Sequence, residues 1–157
     1  ADNDRYQEWN AEFNYGQAAL RAPTVFNFFL PDFRPTGELS TLGLDAPEFQ
    51  ITTDPQIASS SMALGGRTYW AWRGVQGQTP EDVVVDLQPY QAMATASPTA
   101  LVDYFDLLLM NRTMSQAMFT ILVNHIASID PSQDQGRERV MDTVWLIQTS
   151  PEYAIER

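Results

Sequence analysis

The chain contains no cysteine, no lysine, a single histidine and no apolar run long enough to cross a bilayer. Each shortage removes a class of function. Without cysteine there is no disulfide framework and no thiolate metal site. With His125 as the one imidazole, a zinc centre lacks its usual donors. The longest apolar runs, Leu107-Leu108-Leu109-Met110 and Phe119-Thr120-Ile121-Leu122-Val123, fall far short of the roughly 18–20 residues of a spanning helix. Positive charge is scarce: nine arginines face 20 acidic residues, for a formal charge of −11. Such a surface repels phosphate backbones and anionic lipid, so nucleic acid and membrane are not expected partners. Its plain consequence is solubility. Gly65-Gly66 has neither Walker nor dinucleotide spacing, so no phosphate-bearing cofactor is expected. The first residues, Ala1-Asp2-Asn3-Asp4-Arg5, are polar and do not read as an export signal. The expectation is a mature chain whose signal has been removed, or a piece of something longer.

What is present reads as one helical domain over residues 1–157. The length suits a single core, and an apolar content of 44% is ordinary for a globular chain. Tyr6, Trp9 and Phe13 fall at helical spacing, predicting a helix over 4–15 stopped by Gly16. Thr53-Asp54-Pro55 reads as a helix start, with a stop at Gly65-Gly66. Val83-Val84-Val85 could form a short strand, and Asp86 could cap a short helix reaching about Thr95. Ser97-Pro98 opens a helix to about Met110, with Leu101, Tyr104, Phe105, Leu108 and Leu109 as its apolar stripe. Thr113-Met114-Ser115-Gln116 matches a capping box, opening a helix to about Ile129 that is apolar nearly all round and is expected to be the most buried. A last helix after Pro131 carries Val140, Val144, Trp145 and Ile147 or Gln148, and Pro151 ends it. Residues 97–150 are thus the expected helical core.

Residues 21–55 are different. Pro23, Pro31, Pro35, Pro47 and Pro55 prevent a long helix or a central strand. Yet the segment carries Val25, Phe26, Phe28, Phe29, Leu30, Phe33, Leu39, Leu42, Leu44, Phe49 and Ile51. The expectation is an ordered, irregular wrap packed against helices, and loops of this length are often functional.

This segment also carries a resemblance. Arg21-Ala22-Pro23-Thr24-Val25-Phe26-Asn27-Phe28-Phe29-Leu30-Pro31-Asp32-Phe33 is followed by Pro35-Thr36-Gly37-Glu38-Leu39 and by Gly43-Leu44-Asp45-Ala46-Pro47-Glu48-Phe49-Gln50-Ile51-Thr52. Together these resemble the C-terminal region of the bacterial family called domain of unknown function 1800. Leu107-Leu108-Leu109-Met110-Asn111-Arg112-Thr113-Met114-Ser115 is similar to that family's turn between two helices, and Ser150-Pro151-Glu152-Tyr153 to its usual ending. The Tyr69–Gly77 stretch departs from the pattern. The resemblance implies a C-terminal fragment of a longer exported chain, periplasmic or extracellular. Its expected partners are the rest of that chain or a co-exported protein. It supplies no catalytic residues.

Tests for chemistry return weak signals. His125 sits in an apolar helix, no Gly-x-Ser-x-Gly elbow is present, and a satisfied core or interface histidine is the simpler reading. Asp130-Pro131-Ser132-Gln133-Asp134-Gln135-Gly136 starts like a calcium loop. It fails with Gln135 at position 6 and Met141 at position 12. Asp103 and Asp106 could act as an acid–base pair but read better as a solvated face opposite the leucine stripe. Glu81, Asp82 and Asp86 read likewise as a helix-start or surface cluster. The Asn111-Arg112-Thr113 sequon is a chance match. The best binding candidate is the aromatic cluster Tyr69, Trp70 and Trp72 between Arg67 and Arg73. Such rings can stack on sugars or anchor a protein, or pack in a core. The expectation is therefore an all-α fold of five to six helices with an ordered Pro/Phe-rich segment, serving as a non-catalytic structural or assembly module. The alternative is part of an extracytoplasmic, carbohydrate-active or carbohydrate-binding protein whose catalytic groups lie elsewhere.

Overall fold

A computed structural model describes residues 10–74 and 86–154, the side chains of 70–74 excepted. The fold is all-α. In chain order the described helices are α1 (Ala11–Tyr15), α2 (Glu38–Thr41), α3 (Asp54–Gly74), α4 (Gln91–Ala96), α5 (Pro98–Met110), α6 (Gln116–Ser128), α7 (Arg137–Gln148) and α8 (Pro151–Ala154). Two 3₁₀ turns, Pro47–Gln50 and Gln88–Tyr90, precede α3 and α4. The chain divides into two compact units, residues 64–154 and residues 10–63, with the boundary inside α3. Residues 1–9, with Tyr6 and Trp9, and the valine run 83–85 lie outside the described residues.

The hydrophobic core belongs to residues 87–147. Leu101, Val102, Phe105 and Met110 of α5 meet Leu122 and Ile126 of α6 and Val140, Val144 and Ile147 of α7, with Leu87 and Ala94 closing one side. Tyr90, Tyr104 and Phe105 form an aromatic trio with ring centroids 5.1–5.6 Å apart, in the tilted and edge-on arrangements aromatic pairs favour. A hydrogen bond with Tyr104, then burial, raises the Tyr90 phenol above its ordinary value.

Inside this core sits a charge. Arg139 is 7% exposed, and its guanidinium donates to the carbonyls of Ala94 (2.9 Å) and Ile129 (2.7 Å), with a longer bond to Ala127 (3.5 Å). Its Nε donates to Ile129 as well, at 2.9 Å. Ala94 lies in the last turn of α4, and Ala127 and Ile129 at the end of α6, where helix carbonyls have no intrahelical partner. These are also the negative ends of two helix dipoles. The desolvation of a buried cation costs several kcal/mol unless it is well bonded. Here the bonds come from main-chain oxygens that otherwise would be orphaned.

The helix ends are specified locally, with one exception. Ser97 accepts from the Ala100 amide at 3.2 Å and so caps α5, with Pro98 in the first turn. Asp86 accepts from the Gln88 amide at 2.9 Å, opening the turn that runs into α4. Ser115 caps α6 by accepting from Met118 at 3.1 Å. In a capping box the third helical residue would reach back to the cap's own amide. At α6 that partner comes from 37 residues downstream: Glu152 accepts from the Ser115 amide at 2.8 Å and from its hydroxyl at 2.5 Å. Ser115, rather than Thr113, is therefore the cap, and Pro151 opens α8 instead of ending the chain's helical structure.

Residues 10–63 are held differently. Among them only Ala46 is buried. Order comes from polar ties across the segment: Leu30 N–H to the Gln50 side chain (2.8 Å), Ala46 N–H to Phe33 O (2.9 Å), and Arg34 to Asp45 (2.6 Å). Gln56 and Ser59 of α3 both donate to the Phe13 carbonyl at the end of α1, which Gly16 closes in a left-handed conformation. Before α3 the segment is largely irregular, broken only by short helical turns. However, Phe28, Phe29, Phe33 and Phe49 are only half-buried, and Val25, Phe26, Leu30, Leu42 and Leu44 are exposed.

Three further expectations are corrected. Gly65-Gly66 does not end α3, which continues to Gly74. A Cβ at position 65 would stand 2.9 Å from Trp145 Nε1, so Gly65 is there for close approach rather than termination. α6 is not the most buried helix: it buries only Leu122 and Ile126 and leaves Ile121 and His125 exposed, whereas α5 and α7 each bury five residues. On α5, Leu108 is exposed and Val102 takes its place in the core. Helical spacing alone could not separate these positions, because apolar residues continue around both helices.

Two outcomes check this packing. Arg139→Ala leaves buried carbonyls without donors and should cost about 3 kcal/mol of unfolding free energy in a urea titration. Arg139→Lys should recover only part of that, because one ammonium cannot reproduce the planar fork. Gly65→Ala should cost about 1–3 kcal/mol by overpacking, and the accompanying near-ultraviolet dichroism change should vanish in a Trp145→Ala background.

Candidate binding surfaces

The five positions of the aromatic cluster, Arg67, Tyr69, Trp70, Trp72 and Arg73, all fall in the second half of α3. The side chains of Trp70, Trp72 and Arg73 lie outside what the structure describes. Arg67 is half-buried, and Tyr69 is exposed with the Arg137 guanidinium carbon 5.8 Å from its ring centroid, a cation–π distance. On a helix, positions 69, 72 and 73 share a face, whereas positions 70 and 72, two apart, do not.

The candidates for acid–base chemistry are brought into other work. His125 Nε2 lies 2.8 Å from Asp142 Oδ2, linking α6 to α7 at the surface. The nearby Ser128 hydroxyl donates instead to the His125 carbonyl at 2.6 Å. The histidine is thus satisfied but exposed, not a core residue. Asp103 is exposed and pairs with Arg112 at 3.0 Å. Asp106 is not on that solvated face: it is 8% exposed, accepts from the Met114 amide at 3.1 Å, and its carbonyl accepts from Arg112. Asp106 therefore folds the α5–α6 turn, where Asn111 and Arg112 are both left-handed. A three-residue spacing placed both aspartates near one another but not in one environment.

The Asp130–Gly136 stretch is a helix-start turn. Asp130 accepts from the Ser132 amide at 2.9 Å, and bonds from Ser132 hold its carboxyl below its ordinary value. Asp134 accepts from the Glu138 amide at 2.8 Å at the start of α7; its other oxygen is buried without a hydrogen-bond partner among the described residues. Gln135 and Gly136 are both left-handed, and Gly136 packs so tightly that a Cβ would meet Thr95 Oγ1 at 2.8 Å. Among the described residues no three His, Asp or Glu side chains cluster as a metal-ligand set.

Sequence reasoning missed an exposed apolar turn. Thr24 and Asn27 close a turn: the Asn27 amide donates to the Thr24 carbonyl at 3.2 Å, and the Phe26 amide to the Thr24 hydroxyl at 3.1 Å. That hydroxyl donates onward to the Asn27 carbonyl at 3.3 Å. The two residues at the tip, Val25 and Phe26, are 94% and 69% exposed. Threonine pinning its own turn is a local signal. The apolar tip hid it, because Phe and Val ordinarily mark buried positions.

Comparison of the chain with protein-family models, with curated proteins and with solved structures finds no match.

The remote cap gives a check on the geometry around α8. Glu152→Ala should cost about 1–2 kcal/mol by removing a charge-assisted partner of the Ser115 cap. In hydrogen exchange the Ser115 amide should lose protection. An unchanged Ser115 exchange rate would show that the contact does not hold in solution.

Proposed function

We propose that this chain is a non-catalytic assembly module of an exported bacterial protein, presenting apolar side chains from an ordered irregular segment to a protein partner. The observation that carries this reading is the pinned Thr24–Asn27 turn with Val25 and Phe26 at its tip. Scattered exposed leucines are ordinary, but adjacent exposed apolar side chains on a hydrogen-bonded turn are a feature of interaction sites. Phe is also a residue type favoured at interface centres. The resemblance of residues 16–155 to the domain of unknown function 1800 supports the exported, bacterial part of the proposal and supplies no catalytic residues.

The test is size-exclusion chromatography of the full-length, tagged protein from its native host, for the natural sequence and for a Val25→Ser, Phe26→Ser double variant. The natural protein should co-elute with a stoichiometric protein partner and the variant should elute alone. Melting should be unchanged, because exposed substitutions stay within about 0.5 kcal/mol. A natural protein that elutes alone contradicts the proposal.

A further inference from the structure

The charge of the unit that carries the pinned turn narrows the chemistry of its partner. Residues 10–63 carry six carboxylates, Glu12, Asp32, Glu38, Asp45, Glu48 and Asp54, against two arginines. Both arginines are neutralised within the unit, Arg21 by Glu12 at 3.7 Å and Arg34 by Asp45 at 2.6 Å. Asp32, Glu38, Glu48 and Asp54 are exposed and form no ion pair among the described residues. An apolar tip on a unit with uncompensated negative charge has an electrostatic complement of one sign. We infer that the Val25–Phe26 tip docks into an apolar pocket on another protein whose rim carries arginine or lysine. This rests on the assembly reading and adds the partner's chemistry to it.

The same charge argues against the other occupants. A second copy would bring the same net negative surface and the repulsion that goes with it. An anionic membrane would repel the unit in the same way. A cationic rim instead speeds encounter and fixes orientation while the apolar pocket supplies the buried area. Binding of that kind weakens with salt, since exposed charges are screened over about 10 Å at 0.1 M ionic strength.

The experiment places the photo-crosslinking residue p-benzoylphenylalanine at Phe26 of the full-length protein in its native host and maps the crosslinked peptide by mass spectrometry. The expected product is an apolar segment of another protein flanked by arginine or lysine. Its yield should fall severalfold when extracts are irradiated in high rather than low salt, and again when Val25→Ser is added. A crosslink to lipid, to a second copy or to an acidic segment overturns the inference, as does a salt-independent yield. So does the absence of any crosslink. The two ideas fail separately. A chromatographic complex that persists in the Val25→Ser, Phe26→Ser variant sinks this docking site but leaves the assembly role standing. A natural protein that elutes alone sinks both.

Discussion

A guanidinium surrounded by main-chain carbonyls holds the helical unit together. Arg139 reaches from the first turn of α7 to the C-terminal ends of α4 and α6, and its hydrogen bonds go to main-chain carbonyls rather than to a carboxylate. Removing the charge from water is costly, and the orphaned carbonyls of two helix ends are costly as well. Each cost offsets the other only when all three segments are in place. The apolar packing of Leu101, Val102, Phe105, Ile126, Val140 and Ile147 supplies the non-directional driving force, and Arg139 selects one arrangement of the helices. Gly136, just before α7, allows the approach to α4 that brings Ala94 into range. Glu152 makes a second long-range tie, binding the chain's last described turn to the cap of α6.

Much of this unit was legible in the sequence because its signals are local. Ser97-Pro98 at a helix start, Asp86 before a short helix and Gly16 after one each act within a few residues. What stayed hidden depends on distant partners. Gly65 looked like a stop because nothing in its neighbourhood announces Trp145. Thr113 looked like the cap because Gln116 has the right spacing, whereas the carboxylate that completes the cap lies in α8. Nothing in the sequence singled out Arg139, since a buried arginine bonded to main-chain carbonyls has no local signature. Asp106 looked paired with Asp103 by spacing, although the turn after α5 takes it into the interior.

The irregular unit teaches the opposite lesson. Its proline content showed that it would be irregular, and its phenylalanines suggested a wrap packed against helices. In residues 10–63 the phenylalanines are half-buried at most, and the polar ties of Arg34–Asp45, Leu30–Gln50 and Phe13 with Gln56 and Ser59 supply the order. The aromatic cluster of α3 was the best candidate by composition. The structure instead draws attention to Val25 and Phe26, whose exposure on a pinned turn was not visible in residue types alone. That display is the observation behind the proposed assembly role.

The central claim is that stability is concentrated in the Arg139-centred helices and not in residues 10–63. Native-state hydrogen exchange of the intact protein tests it most directly, because it resolves local from global opening. The slowest amides should lie in α5 and α7, exchanging only through global unfolding, while those of residues 20–50 exchange through smaller openings. Equal and maximal protection across residues 20–50 would contradict the claim and would place a core where none has been assigned.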